Sequence, residues 1–195
     1  MYVCDFNKPN NWKLGDSIIY DEKTVEITDP LRIIVDSPKS SIDFTYKEAP
    51  PVYTKITSIK DLTSGGKYLL YHETSKRALK ANLNATDIGE SNNTQQIDDL
   101  TSRVEDCEFT ITLDNNNYVI TNQDSQVLGS TASGNISYND SFRNKIAFNN
   151  DNVYIEPRNL SFIYLIYNPD DSRMYYYGLS STTILSIQLY KYTGE

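Results

Sequence analysis

The residues that could carry out catalysis are few, and their positions do not suggest a reaction. His72 is the only histidine, so a Ser-His-Asp nucleophilic site would have to use it. It follows Tyr71 at a predicted strand end, where a polar residue is ordinary. Paired carboxylates could instead support glycoside hydrolysis, and the candidates in or beside one polar loop are Asp98, Asp99, Asp106 and Glu108. We predict that the chain is not an enzyme and keep a carboxylate-dependent glycoside hydrolase as an alternative.

Metal-ligand patterns are also weak along this chain. Calcium requires several oxygen ligands from one loop, and Asp114–Asn117, Asn149–Asn152 and Asp170–Asp171 each offer some. None has the Asp-x-Asp-x-Asp-Gly order, and turn formation explains all three. Cys4 and Cys107 lie far apart without a Cys/His cluster, which argues against structural zinc. We predict no metal and no cofactor, and leave open whether the two cysteines pair.

Aromatic side chains are the better candidates for contact with a partner. The chain has 16 tyrosines and one tryptophan, Trp12, which either fills a neighbouring core or offers a stacking platform. In the run 175–177, strand geometry points either the middle tyrosine or the two outer tyrosines outward. An outward tyrosine can stack on a sugar or fill a protein interface. With the adjoining acidic turn, the predicted partner-binding residues are Trp12, Tyr175, Tyr176, Tyr177, Asp170 and Asp171.

Charge and hydropathy argue against two classes of partner. The formal net charge is −8 and the 18 basic residues are scattered, whereas nucleic-acid recognition needs a positive field. No run of 18 apolar residues exists, so we expect no membrane insertion. The N-terminus lacks the basic and apolar regions of a signal peptide. We therefore expect an extracellular or cell-surface location if a signal was removed, and otherwise a virion.

A threefold repeat indicates the elements that would position these residues. The motif is a tyrosine that opens a short apolar run, and its copies, 50 and 46 residues apart, are Tyr68–Tyr71, Tyr118–Thr121 and Tyr164–Tyr167. A second apolar position follows each first tyrosine by 10 or 11 residues. Fixed-period self-similarity predicts repeated units that share one core. We predict an all-β fold in which residues 51–195 form a β-trefoil-like barrel of three hairpin repeats.

The first fifty residues do not follow this repeat. Their predicted strands are Ser17–Tyr20, Thr24–Thr28, Leu31–Asp36 and Ser41–Tyr46, and Ala49-Pro50-Pro51 marks the boundary. A β-meander of this size is only marginally stable on its own. We predict that residues 1–50 form a strand-rich arm or subdomain that docks on the body or on another chain. Within the first repeat, Asn82–Asp106 reads as a polar loop insertion with one short helical turn around Gln96–Val104.

Two stretches resemble an all-β accessory domain found at the C-terminus of secreted, multidomain proteins of gut Bacteroidetes. Asp61–Tyr71 resembles the opening of that domain, and Met174–Gly178 with Ile187–Lys191 resembles its closing hairpin. The resemblance covers about residues 54–192 and implies a non-catalytic attachment module. The chain is also similar in pattern to trefoil lectins. Their Gln-x-Trp signature is absent from the repeats, so no sugar-binding residue is carried over.

Together these features predict a non-enzymatic binding or assembly protein that attaches to a glycan or a protein partner at a bacterial surface. The alternative is a structural component of a bacteriophage virion, such as a capsid-decorating or head-fibre protein. In that setting the N-terminal arm would pair with other virion subunits. A strand-rich arm that is only marginally stable on its own is consistent with both settings.

Overall fold

β-Strands are the regular elements of this protein, as its all-β sequence pattern predicts. The computed structural model describes residues 17–20, 23–26, 45–47, 52–83, 93–131, 134–178 and 185–194. Within these ranges the only helical elements are two three-residue 3-10 turns, Ile59–Asp61 and Glu105–Cys107. The chain separates into two compact units, Met1–Pro51 and Val52–Glu195. The all-β prediction is confirmed.

The unit Met1–Pro51 contains a three-stranded antiparallel sheet. Its strands are β1 (Ser17–Tyr20), β2 (Lys23–Glu26) and β3 (Thr45–Lys47), in the order β2-β1-β3. The two outer strands both pair with β1, so the sheet has one central strand. Trp12, Cys4 and the predicted strand Leu31–Asp36 lie outside the described residues.

The unit Val52–Glu195 carries thirteen strands in its described residues. They are β4 Tyr53–Ile56, β5 Gly66–His72, β6 Arg77–Leu79, β7 Thr94–Gln96, β8 Glu108–Asp114, β9 Asn117–Thr121, β10 Leu128–Ser130, β11 Ile136–Tyr138, β12 Asn144–Asn149, β13 Asn152–Pro157, β14 Ile163–Asn168, β15 Arg173–Gly178 and β16 Gln188–Tyr192. The short helical turn predicted around Gln96–Val104 is instead the 3-10 turn that follows it, at Glu105–Cys107.

Nine of these strands form one sheet whose order is β13-β12-β9-β8-β5-β16-β4, with β6 also paired to β5 and β7 paired to β6. The C-terminal strand β16 pairs with both β4 and β5, so the two ends of the unit meet in the sheet. The pairs β10–β11 and β14–β15 form separate two-stranded sheets. Every described strand pair is antiparallel, which is expected for the pairs joined by short turns.

The predicted closed barrel is not found, because the ladder is open between its two ends. Among the described residues, β13 meets the segment before β16 through a single bridge, in which the Val153 N–H donates to the Ile187 carbonyl oxygen at 2.9 Å. A single bridge is too short to count as a strand ladder. The sequence repeat located the hairpins β5–β6 and β14–β15. Its second copy does not form the predicted hairpin, because β9 pairs with β8 and β12 whereas β10 pairs with β11.

Asparagine-rich turns join consecutive strands, as the sequence indicated. Asn115 and Asn116 both have positive φ, 46° and 67°, between β8 and β9. Asn150 has φ of 53° between β12 and β13. Asparagine tolerates this left-handed region better than most residues. These two turns therefore fix the register of the two hairpins. In β8–β9 the first residue pair is Asp114 with Asn117, and in β12–β13 it is Asn149 with Asn152.

The core of the larger unit consists of two clusters. The main cluster draws on the inward faces of the sheet and of the hairpin β14–β15, and it includes Tyr68, Phe109, Ile120, Leu165 and Tyr176. A second cluster covers the other face of β5, where Leu69 and Tyr71 contact Tyr53, Ala78, Ile97, Cys107 and Tyr190. Both faces of β5 are therefore buried, which explains its continuous apolar run.

Candidate functional site

The outward face of the hairpin β14–β15 is the main aromatic surface of the larger unit. Tyr164 lies opposite Tyr177, and Leu165 lies opposite Tyr176. Because side chains alternate across a strand, Tyr176 points into the core and is 1% exposed, whereas Tyr177 is 51% exposed. Tyr175 is half-buried on the same side as Tyr177. Of the two orientations that the sequence left open, the outer pair of tyrosines is the one that faces outward.

Aromatic contacts connect the side chains of this surface. Tyr175 and Tyr177 meet edge to face with ring centroids 5.7 Å apart, and Tyr154 meets Tyr164 in the same way at 5.5 Å. Such edge-to-face pairs are favourable arrangements for aromatic rings. Tyr164 and Tyr177 are cross-strand neighbours, so the two pairs form one row. We name this row the tyrosine face: Tyr154, Tyr164, Tyr175 and Tyr177.

Phe162 adds an exposed ring beside the tyrosine face. It is 77% exposed and precedes β14 directly. Its φ of 63° is unusual for a bulky residue, and its N–H donates to Glu156 Oε1 at 2.8 Å. Strained positions of this kind cluster at functional sites. The backbone therefore holds an apolar ring in solvent, at a cost, next to an aromatic row.

The acidic turn Asn168–Ser172 lies at the other end of the hairpin. Asp171 pairs with Arg173, with 2.7 Å between Oδ2 and Nε, and the Arg173 guanidinium carbon lies 5.0 Å from the centre of the Tyr175 ring. Asp171 therefore helps to position a cation against the ring. Asp170 is exposed, and its N–H donates to Asn168 Oδ1 at 3.0 Å to close the turn.

Burial favours the protonated form of two tyrosines of β15, Tyr175 and Tyr176. Desolvation raises the pKa of Tyr175 above its ordinary value, although the nearby Arg173 opposes the shift. Desolvation also raises the pKa of Tyr176, whose hydroxyl is enclosed in the core. Both side chains are therefore neutral phenols at neutral pH. The Tyr175 ring offers an apolar face and a hydroxyl, but no negative charge.

The histidine considered for catalysis is part of the packing. His72 is 5% exposed, stacks on Tyr167 with ring centroids 4.6 Å apart, and accepts a hydrogen bond at Nδ1 from the Ser75 N–H at 3.3 Å. Desolvation lowers its pKa, against the opposing charge of Glu73. The ring is therefore neutral at neutral pH and engaged on one face and one nitrogen.

The acidic candidates also have structural partners. Asp98 accepts from the Gln96 amide at 2.9 Å, and Asp99 accepts from the Thr101 hydroxyl at 2.6 Å. Asp106 is exposed. Glu108 was placed in or beside a polar loop by the sequence but begins β8 and is 2% exposed.

Arg103 explains how Glu108 can be buried with its charge. The guanidinium makes two bonds to the carboxylate, Nε to Oε1 at 3.0 Å and Nη2 to Oε2 at 2.8 Å. The Tyr53 hydroxyl donates to Oε1 at 2.6 Å. Burial alone would raise the pKa of Glu108, but the bonds from Arg103 and Tyr53 outweigh it and lower the pKa. At neutral pH the group is a carboxylate that joins Arg103, which precedes the 3-10 turn, to Tyr53 of β4.

One charged cluster had no sequence signal. Lys55 donates to Glu73 at 3.0 Å and to Asp151 at 3.2 Å, and the Tyr190 hydroxyl donates to Glu73. Desolvation opposes ionisation of Glu73, but the bonds from Tyr190 and Lys55 prevail and lower its pKa. The four residues come from β4, two hairpin turns and β16, so only the folded topology brings them together.

The residues considered as metal ligands are used elsewhere. Asp114 pairs with Arg143, and Asp151 pairs with Lys55. No group of three or more His, Cys, Asp or Glu among the described residues could hold a metal ion. Cys107 is a buried free thiol, and desolvation raises its pKa to about 12. Within the described ranges, no helix is long and apolar enough to cross a membrane.

Comparison of the chain with protein-family models finds no match, and comparison with curated proteins finds none either.

Proposed function

We propose that this chain is a non-enzymatic binding protein whose tyrosine face attaches it to a glycan or a protein partner at a bacterial surface. One observation carries the proposal: Tyr175 and Tyr177 point outward from a hairpin whose other face is anchored in the core. A row of tyrosines presented on a rigid element offers both stacking area and hydroxyl groups. Tyr and Arg are also enriched at the energetic centres of protein interfaces.

The proposed extracellular setting follows from the resemblance to accessory domains of secreted proteins. The first two repeats place Leu70 and Ile120, the second residues after their opening tyrosines, in the main core, whereas the third repeat places Leu165, the first residue after Tyr164, there. The third strand therefore turns its opposite face to the core, so the trefoil-like relation between the three units rests on the sequence spacing. The tyrosine face belongs to the third unit alone, because the equivalent tyrosine of the first unit, Tyr68, lies in the core.

The test is a glycan array probed with the full chain, together with capture of proteins from bacterial surface extracts. We expect binding to fall about tenfold or more in Tyr177→Ala, because loss of one stacking ring costs about 1–3 kcal/mol. Leu113→Ala is the matched control: Leu113 is 54% exposed but lies on β8, away from the tyrosine face. Equal binding by the two variants, or no ligand in either screen, would contradict the proposal.

A second candidate is a structural component of a bacteriophage virion that docks through its N-terminal arm. The observation that favours it is the separate unit Met1–Pro51, whose described strands form a sheet of only three short strands. Such a sheet gains stability by pairing with another subunit. Sedimentation velocity of the full chain tests this candidate, since assembly predicts an oligomer. A monodisperse monomer at all accessible concentrations would contradict it.

A further inference from the structure

We propose that an open cavity beside the hairpin β12–β13 binds a sugar acid, that is, a pyranose ring bearing a carboxylate. The cavity has a volume of about 370 Å³, and its lining residues are Ser141, Phe142, Arg143, Arg158 and Asn159. This volume lies at the small end of the range for ligand sites, which suits a single sugar ring. None of the lining residues belongs to the tyrosine face, so this proposal does not rest on the proposed function.

Two arginines face each other at the base of the hairpin. The register of β12 and β13 pairs Asn144 with Pro157, so Arg143 and Arg158 occupy the next position along the ladder. The Arg158 N–H donates to the Arg143 carbonyl oxygen at 2.8 Å, which keeps the two backbones adjacent. Like charges directly opposite each other destabilise an antiparallel pair. An anion between the two guanidinium groups would remove this repulsion.

Among the described residues, an acidic partner is found for only one of the two charges. Arg143 pairs through Nε with Asp114 at 2.6 Å, and its Nη1 donates to the carbonyl oxygens of Asp140 and Phe142. These contacts hold the guanidinium in place and leave its Nη2 without a hydrogen bond to any described residue. The Arg158 side chain is exposed and likewise makes no hydrogen bond within the described ranges. Arginine recognises carboxylates strongly through charge-assisted bonds.

The rest of the cavity suits a hydroxylated ring. The Phe142 ring packs on Gly129, where a Cβ atom would lie 2.5 Å from it, and the same ring lines the cavity. Ser141 donates its hydroxyl hydrogen to Asn139 at 2.6 Å, and Asn159 donates its amide to Ser130 at 3.2 Å. The Ser141 oxygen and the Asn159 carbonyl oxygen are therefore available as acceptors. Acceptors beside an apolar ring fit the hydroxyl groups and C–H face of a sugar better than they fit an inorganic anion.

The experiment is a titration of the full chain with glucuronate, glucose and acetate, followed through the amide NMR shifts of the cavity residues. We expect shifts at Ser141, Phe142 and Asn159 and about tenfold tighter binding of glucuronate than of either other probe, a difference of about 1.4 kcal/mol. Glucose lacks the charge and acetate lacks the ring. If acetate binds as tightly as glucuronate, the sugar is not recognised, and if glucuronate shifts none of these amides, the site is not there.

Arg158→Gln tests the site with little effect on the fold, because the side chain is exposed and makes no hydrogen bond to a described residue. We expect it to weaken glucuronate binding about tenfold through the loss of a charge-assisted hydrogen bond. Lys60→Gln is the matched control, since it removes the same charge from another exposed position. An unchanged affinity in Arg158→Gln, or an equal loss in Lys60→Gln, would show that the cavity does not bind the sugar acid.

Discussion

His72 is a residue whose protonation state should be visible in the stability of the whole unit. Burial against Tyr167 lowers its pKa in the folded state. The unfolded chain therefore takes up a proton at a higher pH than the folded chain does. Stability is fully present above the ordinary histidine pKa of about 6.5 and is lost as the pH falls from there toward the lowered value. This window is separate from that of Glu73 and Glu108, whose lowered pKa values cause losses only below about pH 4.3.

We predict that the free energy of unfolding decreases between about pH 7 and pH 5 in the natural sequence and much less in His72→Phe. Phenylalanine keeps an aromatic ring against Tyr167 but cannot be protonated. Urea unfolding at a series of pH values measures the effect, and because His72 is the only histidine the comparison is unambiguous. The same pH slope in both proteins would show that His72 titrates alike in the folded and unfolded chain.

What the sequence could predict at this scale depends on how local the determining contact is. The run of three tyrosines predicted a strand with aromatic groups on both faces. Which of the tyrosines face outward depends on how the hairpin β14–β15 packs, and the register of that hairpin is known only from the structure. Glu108 looked like a loop carboxylate because its partners Arg103 and Tyr53 are recognisable only after folding. Tyr53 lies 55 residues away in the chain.

At the scale of elements, tight turns between neighbouring strands were predictable and long-range ladders were not. The turn between β8 and β9 is specified by Asn115 and Asn116, whose backbone preference acts within four residues. In contrast, β16 is inserted between β4 and β5 by contacts such as Leu189 with Ile56 and Leu70. No local rule selects those partners, so the prediction of a closed barrel went beyond what the three repeats could support.

Gly129 on β10 gives a prediction for one element. A Cβ atom there would lie 2.5 Å from the Phe142 ring, so Gly129→Ala must displace that ring. We expect a loss of about 1–3 kcal/mol in unfolding free energy, as for other overpacked sites, together with a distorted cavity next to Arg143. Gly178→Ala on β15 is the control, because its Cβ would make only an ordinary contact of 3.5 Å. Equal midpoints of thermal unfolding for the two variants would contradict this account.

At the scale of the whole molecule, β16 should make the unit Val52–Glu195 unfold cooperatively. It is the only described strand that pairs with β4, and it also pairs with β5. Leu189 is fully buried in the main core between them. Loss of contacts at this position therefore weakens strands from both ends of the unit together. Because the closing strand comes last in the unit, contacts distant in sequence dominate, which favours slow folding.

We predict that Leu189→Ala lowers the unfolding free energy of this unit by about 2–5 kcal/mol, the usual cost of truncating a buried leucine. The loss should appear as a single shifted transition, with amides of β5 and β8 losing hydrogen-exchange protection together. Leu113→Ala, at an exposed leucine of β8, should change stability by no more than about 0.5 kcal/mol. If protection fell in β16 and β4 while β8, β9 and β12 kept theirs, the open sheet would consist of separately stable parts. We expect the opposite result, because β5 pairs directly with β8 and because Tyr68, Phe109 and Leu189 belong to one core cluster.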